Sequence, residues 1–295
     1  MAVIRKQCNY YTIMSYETTR LMSRIANKQH GMKEANLIRL IPVVADLPVG
    51  RNLQDHMHVD GLLTIPGSIE ALAFVSTRFE NESLQFPDVQ IALQLLSSSG
   101  LPYKLYLSQM GVSDKVYDEY YGPHFPSFGY ALVPVMNRPK SRGYIKLRTT
   151  NPLDKPIIDP QYLTHPRDVE VAVEGVKIAR RLMLSEAMRE IKAEPWNDPL
   201  PECESAGAIW SDGYLACFVR HMAHTTWHAC CTCPMGNDTR AVVDHTLRNT
   251  LAGSSGPASV FVDASVMPTI VTGNPNVPTM MIAEKAAAMI LNDHP

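Results

Sequence analysis

The sequence predicts an α+β or α/β fold, with antiparallel strands in the middle of the chain and helices in its second half. Three observations carry that expectation. Val89 to Leu96 and Tyr130 to Met136 are apolar or alternating runs of strand length, and Tyr144-Ile145-Lys146-Leu147-Arg148 alternates cleanly. From Pro166 the apolar positions recur at helical spacing instead. Thr279 to Leu291 is a run rich in Met, Ile and Ala that reads as a further helix.

Composition sets the frame. With 295 residues, 45% of them hydrophobic and 19% charged, the chain can bury one large core or two modest ones. The net charge is -2 and no stretch concentrates Lys and Arg, which argues against a nucleic-acid partner. Apolar stretches such as Leu37 to Val49 are broken by Arg39, Pro42, Asp46 and Pro48, short of the ~20 residues that span a bilayer, so no membrane span is expected. Asn9, Tyr10 and Tyr11 stand where a secretion signal would carry its apolar segment. The six cysteines are too few and too unevenly placed for a disulfide framework, and are expected to be buried or free thiols.

Taken in order, residues 1–36 show no clean period. Pro42-Val43-Val44 reads as a short strand and Leu47-Pro48-Val49-Gly50 as a turn, followed by a polar cluster of Asn52, Asp55, His56 and His58. Pro166 opens a helix with Asp168 and Glu170 in its first turn, and Val169, Val173 and Val176 form its stripe to about Leu184. A second helix, Asp212 to His221, buries Tyr214, Leu215, Phe218 and Val219. Val260-Phe261-Val262 reads as a strand, and Gly273 to Pro278 as a tight loop before the helix from Thr279.

Two constellations could carry chemistry. His228 to Cys233, with His221 and His224 before it, gathers residue types that bind zinc, but adjacent Cys230 and Cys231 point apart and no second ligand pair lies elsewhere. A zinc-binding module is the less favoured reading. Gly273-Asn274-Pro275-Asn276-Val277-Pro278-Thr279 opens onto a helix, whose unpaired amides and positive dipole end attract negative charge, while Asn276 alone is also a good cap.

Four blocks, in order, resemble the glucose-methanol-choline (GMC) family of FAD-dependent alcohol oxidoreductases. They are IPVVADLPVGRNLQDH (41–56), RGYIKLRTTNPLDKPIIDPQYLTHPRDVEVAVEGVK (142–177), HACCTCPMG (228–236) and VFVDASVMPTIVTGNPNVPTMMIAEKAAAMI (260–290). The resemblance implies the C-terminal part of that fold: a substrate domain on an antiparallel sheet, plus the last strand and helix that complete an FAD-binding α/β domain. It divides the chain into a divergent segment 1–40, the end of the FAD-binding region at 41–60, a shortened substrate-domain region at 61–137 and the C-terminal domain at 138–292. The implied chemistry is transfer of an alcohol's α-hydrogen, as hydride, to the flavin, with His228 as base. Asn276 falls where the family holds the substrate oxygen. The resemblance places Asp263 and Ala264 by the ribityl and phosphate region, Asn274, Pro275, Val277 and Thr279 at the ring edge, and Asn52, Asp55 and His56 on the cofactor's other side. Metal ligands are not expected, the substrate is a small alcohol, sugar or choline-like molecule, and the electron acceptor is open.

The departures carry expectations too. No G-x-G occurs, so the glycine turn of the nucleotide-binding unit is missing from the pattern. This raises a second reading, a non-catalytic family remnant that does not hold FAD alone. Where the resembled family has Gly, this chain has Cys231, in a turn expected to need either positive φ or close approach of the flavin, and Pro234 removes a backbone donor.

Overall fold

The structure, a computed structural model, describes residues 47–59, 69–80, 86–97, 104–105, 107–108, 111–124, 128–149, 151, 154–248 and 260–293. The chain forms two units, each drawn from separated stretches. The expected strand at Pro42–Val44 and segment 1–40 lie outside the described residues.

The first unit takes its described residues from stretches ending at Asp55, from Ser141–Tyr162 and from Trp227 onward. Its sheet has the order β1-β6-β7, where β1 is Arg51–Leu53, β6 Gly143–Lys146 and β7 Ile157–Asp159, all antiparallel. The turn expected at Leu47–Gly50 forms, and Gly50 has φ +81. A Cβ there would lie 2.2 Å from the Ile145 carbonyl oxygen, so this position admits only glycine. Gly50 also donates to the Thr232 carbonyl and accepts from the Ile145 amide, joining three segments. Cys233, Val242, Val243, Phe261, Val266 and Ala286 make the core.

The second unit, from His56–Lys140 and Leu163–Thr226, holds a five-stranded antiparallel sheet of order β3-β4-β5-β2-β8. Here β2 is Met57–Val59, β3 Ile69–Val75, β4 Val89–Ser97, β5 Phe128–Met136 and β8 Ala223–Thr225. β4 and β5 pair from Val89↔Met136 to Ser97↔Phe128, matching the two runs the sequence marks. Pro134 lies inside β5, where a missing N–H would break a two-sided ladder. It is tolerated because, among the described residues, β2 pairs only with Val135 and Met136, leaving β5 with a single neighbour at Pro134.

Helix α1, Pro166–Met183, covers this sheet. The His165 ring accepts from the Arg167 amide, Pro166 occupies the first turn, and Arg180 and Arg181 close the other end, as the helix dipole favours. Its buried face sets Ala179 and Met183 against Val89, Ile91 and Leu132. After the short α2, Glu186–Glu190, helix α3 runs Asp212–Met222 with Ser211 capping Tyr214. Both longer helices match expectation, α3 extending one residue further.

Three expectations are corrected. Val260–Val262 is no strand: Val260 makes one bridge to Arg248, then Asp263 accepts from the Ser265 amide and turns the chain into a 3-10 turn, Ala264–Val266. The final helix, α4, spans Asn276–Asp293, so the loop stops three residues early and Asn276 is the first helical residue and not the cap. Cys203 and Cys217 form a disulfide, because the turn Pro201–Ala206 folds back on α3 and brings their Cα atoms to 5.6 Å. Cys230, Cys231 and Cys233 remain buried thiols.

Candidate active site

The site is a backbone staple in the first unit. Asn52, in the left-handed region at φ 63, donates through Nδ2 to the carbonyls of Cys231 (3.2 Å) and Pro268 (3.3 Å). Gln54 exchanges backbone hydrogen bonds with Cys230, and its Oε1 accepts from the Ile270 amide. Asp55, buried, accepts from the His228 amide at 2.8 Å on Oδ1 and from the Tyr162 hydroxyl on Oδ2. On the other side, the amides of Cys231, Cys233 and Met235 donate to the carbonyls of Ala264, Ser265 and Val266. The 228–236 segment is therefore clamped between the polar cluster and the 263–270 turn, although no residue of it is in a regular strand.

Within this clamp Cys231 has φ 73 and is fully buried, as the turn position predicts. Its Sγ lies 2.8 Å from that of Cys230, so the two thiols face each other and do not point apart as the sequence suggested, the left-handed backbone at Cys231 turning its side chain back. Burial, with the Cys231 thiol beside it, pushes the Cys230 thiol well up, and burial holds Cys233 at about 12. Among the described residues the group whose ligand atoms converge is instead Cys203, Cys217 and His221, so the cluster His228–Cys233 is not assembled as a zinc site.

The sequence-predicted residues thus divide. Hydrogen bonds bring Asn52, Asp55, the His228 backbone and Ala264 into one network, with Asp263 capping the adjacent turn. Asn274, Asn276 and Val277 are exposed at the start of α4, where Pro275 accepts from both the amide and the hydroxyl of Thr279. Ile282, further along α4, packs on the cluster of Cys230, Cys231, Ala264 and Ile270 and so ties the helix to the clamp. His56 is placed in the second unit, its Nε2 3.0 Å from the Asn137 carbonyl oxygen. Sequence reasoning missed Tyr162 and the role of Gln54; Tyr162 lies 107 residues from its partner Asp55, a separation no local pattern reveals.

An open groove lined by Arg51, Asn52, Pro234, Gly236 and Pro268 reaches the clamp from outside. In the second unit, aromatic residues including Tyr120, Trp196 and Phe218 line a cavity of about 40 Å³, room for a few waters and too small for a flavin or a sugar.

One unit is built on a five-stranded antiparallel sheet, and the other holds a three-stranded antiparallel sheet and the C-terminal helix. Residues 139–283 carry the C-terminal domain of the family described as GMC oxidoreductase. It is 39% identical over 166 residues to an alcohol dehydrogenase (acceptor) of Pseudomonas putida, covering 56% of this chain and 28% of that one. It is 32% identical over 279 residues to the mitochondrial choline dehydrogenase of Homo sapiens, covering 85% and 42%. A glucose dehydrogenase (FAD, quinone) of Drosophila pseudoobscura pseudoobscura is 40% identical over 161 residues, 54% and 25%. Pyridoxine 4-oxidase from Mesorbium loti shares the fold with a TM-score of 0.62 at 24% identity, over 85% of this chain and 45% of its own. The chain thus spans between about a quarter and half of the length of these relatives.

Proposed function

We propose that this chain carries the catalytic segment of an FAD-dependent oxidoreductase acting on the CH–OH group of an alcohol, sugar or choline-like substrate. The observation that carries the reading is the Asp55 carboxylate, buried and bonded to the His228 amide, which fixes the backbone of the residue expected to act as base. A proton acceptor helps only when held in place, and the clamp fixes its segment on both sides.

The residues present fit the ring half of the cofactor. The start of α4 offers exposed Asn276 and Val277 at the positive end of an 18-residue helix, suited to a negatively charged ring edge. Asn274, Pro275 and Thr279 would flank it, Ala264 and Asp263 would meet the ribityl and phosphate region, and Asn52 and Asp55 would back it. Asp263 Oδ1 is engaged by the Ser265 amide, so such a contact falls to Oδ2. A flavin held there would supply the acceptor for the substrate's α-hydrogen as hydride. His228 would accept the hydroxyl proton at its imidazole, and Asn276 would donate to the substrate oxygen and hold it in line.

A second reading is favoured by two observations: the 295 residues contain no G-x-G cradle for the pyrophosphate, and Val277, Met280, Met281 and Leu291 of α4 are exposed. On this reading the chain does not retain FAD alone. One measurement separates the two: the visible absorbance of the purified chain with added FAD after desalting, then with simple alcohols under anaerobic conditions. Retained flavin bands that bleach support the first reading, and His228→Gln should then slow bleaching by about 10²–10⁴-fold. A chain that stays colourless sinks it in favour of the second.

A further inference from the structure

We propose that Cys203, Cys217 and His221 form a redox-gated site for a divalent cation of zinc's class, closed while the two cysteines are bonded and opened by reduction. Cys217 and His221 are four residues apart on α3 and share a face, the i,i+4 spacing that sets two ligands side by side. Cys203 is delivered from the turn Pro201–Ala206, pinned to α3 by the Tyr214 hydroxyl, which accepts from the Leu200 amide.

The distances are those of a coordination sphere. His221 Nδ1 lies 3.7 Å from Cys203 Sγ and 3.6 Å from Cys217 Sγ. Zn–S near 2.3 Å and Zn–N near 2.0–2.1 Å, at a tetrahedral angle, place sulfur and nitrogen about 3.5–3.6 Å apart. Two of the three edges therefore exist already. The third needs only the sulfurs to part by side-chain rotation, with the Cα atoms at 5.6 Å. Three protein ligands leave a fourth position for water.

The surroundings favour a cation. Glu202, next to Cys203, has one oxygen on Lys115 at 3.0 Å, while its other, Oε2, is buried without a hydrogen-bond partner. Exposed His221 and half-buried Cys217 give access for a reductant and a metal, while Cys203 is buried. In the bonded state Nδ1 lies 3.0 Å from the Cys217 carbonyl oxygen, so it carries a proton there; coordination moves that proton to Nε2.

The chemistry balances with a small dithiol as reductant. Its thiolate attacks the disulfide, the Sγ–Sγ bond breaks, and two electrons and two protons pass to Cys203 and Cys217 as the dithiol closes to its own disulfide. Metal binding then forms two S–metal bonds and one Nδ1–metal bond and releases the two thiol protons to solvent, the imidazole keeping its proton on Nε2.

The test uses cobalt(II) as a visible stand-in for zinc on the full chain, reduced with dithiothreitol and desalted without oxygen. The expected result is one equivalent bound, with thiolate-to-cobalt and tetrahedral bands that zinc abolishes, and none in the oxidised chain. His221→Ala, at an exposed position that leaves the fold intact, should weaken binding at least tenfold. The double variant Cys203→Ser/Cys217→Ser, which keeps Cys230, Cys231 and Cys233, should lose the bands. Bands of equal strength in either variant, or none from the reduced chain, overturn the proposal.

Discussion

At Cys231 backbone and side chain pull in opposite directions. A left-handed conformation costs a non-glycine residue roughly 1–2 kcal/mol, yet the thiol packs with Ala264, Met267 and Ile270 in a dry cluster. Removing a small buried side chain loses a similar ~1–2 kcal/mol, so Cys231→Gly should leave stability within about 1 kcal/mol of the parent in urea unfolding. Cys231→Val, β-branched at the same φ, should cost about 3 kcal/mol. Because burial raises the Cys230 and Cys233 thiols, neither should react with iodoacetamide at pH 7.5 in the folded chain, and both should react once it is unfolded. Mass spectrometry of the labelled peptides reads this directly. The positive φ at Cys231 was legible only through the family resemblance, which puts a glycine at that turn. The pairing of Cys203 with Cys217 was not, since it depends on a turn whose return path no spacing encodes.

Among the elements, the long ones could be read and the short ones could not. β4 and β5, with nine residues each, and α1, with 18, repeat their period often enough to declare it. β1, β2 and β8 have three residues each, too few for any period, and exist because neighbouring segments supply partners. The same holds for the 228–236 segment, whose chemistry is marked by residue type while its geometry comes from the clamp. Asp55 tests this. Asp55→Ala leaves the His228 amide and the Tyr162 hydroxyl without this acceptor in a half-buried place, and should lower stability by about 1–3 kcal/mol. Tyr162→Phe removes only one of the bonds and should cost about 1 kcal/mol. Equal losses in chemical denaturation would mean that the amide bond contributes nothing.

For the molecule as a whole, acid is the expected weakness. Asp244 is pushed up by partial burial, but this is outweighed by the Thr246 hydroxyl and the Thr246 and Arg248 amides, all donating to Oδ1, so its pKa is lowered. A carboxyl depressed on folding adds stability above its unfolded pKa of about 3.9 and loses it as pH falls through the lower folded value. Asp244→Asn should therefore lower Tm at pH 6 and shrink the further drop between about pH 4 and 2, as calorimetry would show. Fold class was visible at this scale from the strand and helix runs, and the family resemblance implied two parts; their interleaving was not visible, because each unit is assembled from stretches far apart in the chain. That interleaving sets an order of events during synthesis. The Gln54 side chain finds its partner, the Ile270 amide, 216 residues later. At the 5–20 residues per second of a ribosome, β1 waits about 10–40 s for that partner to be made. For that time the first unit is an open half whose apolar residues stand uncovered, and the nascent chain is a natural client for a chaperone.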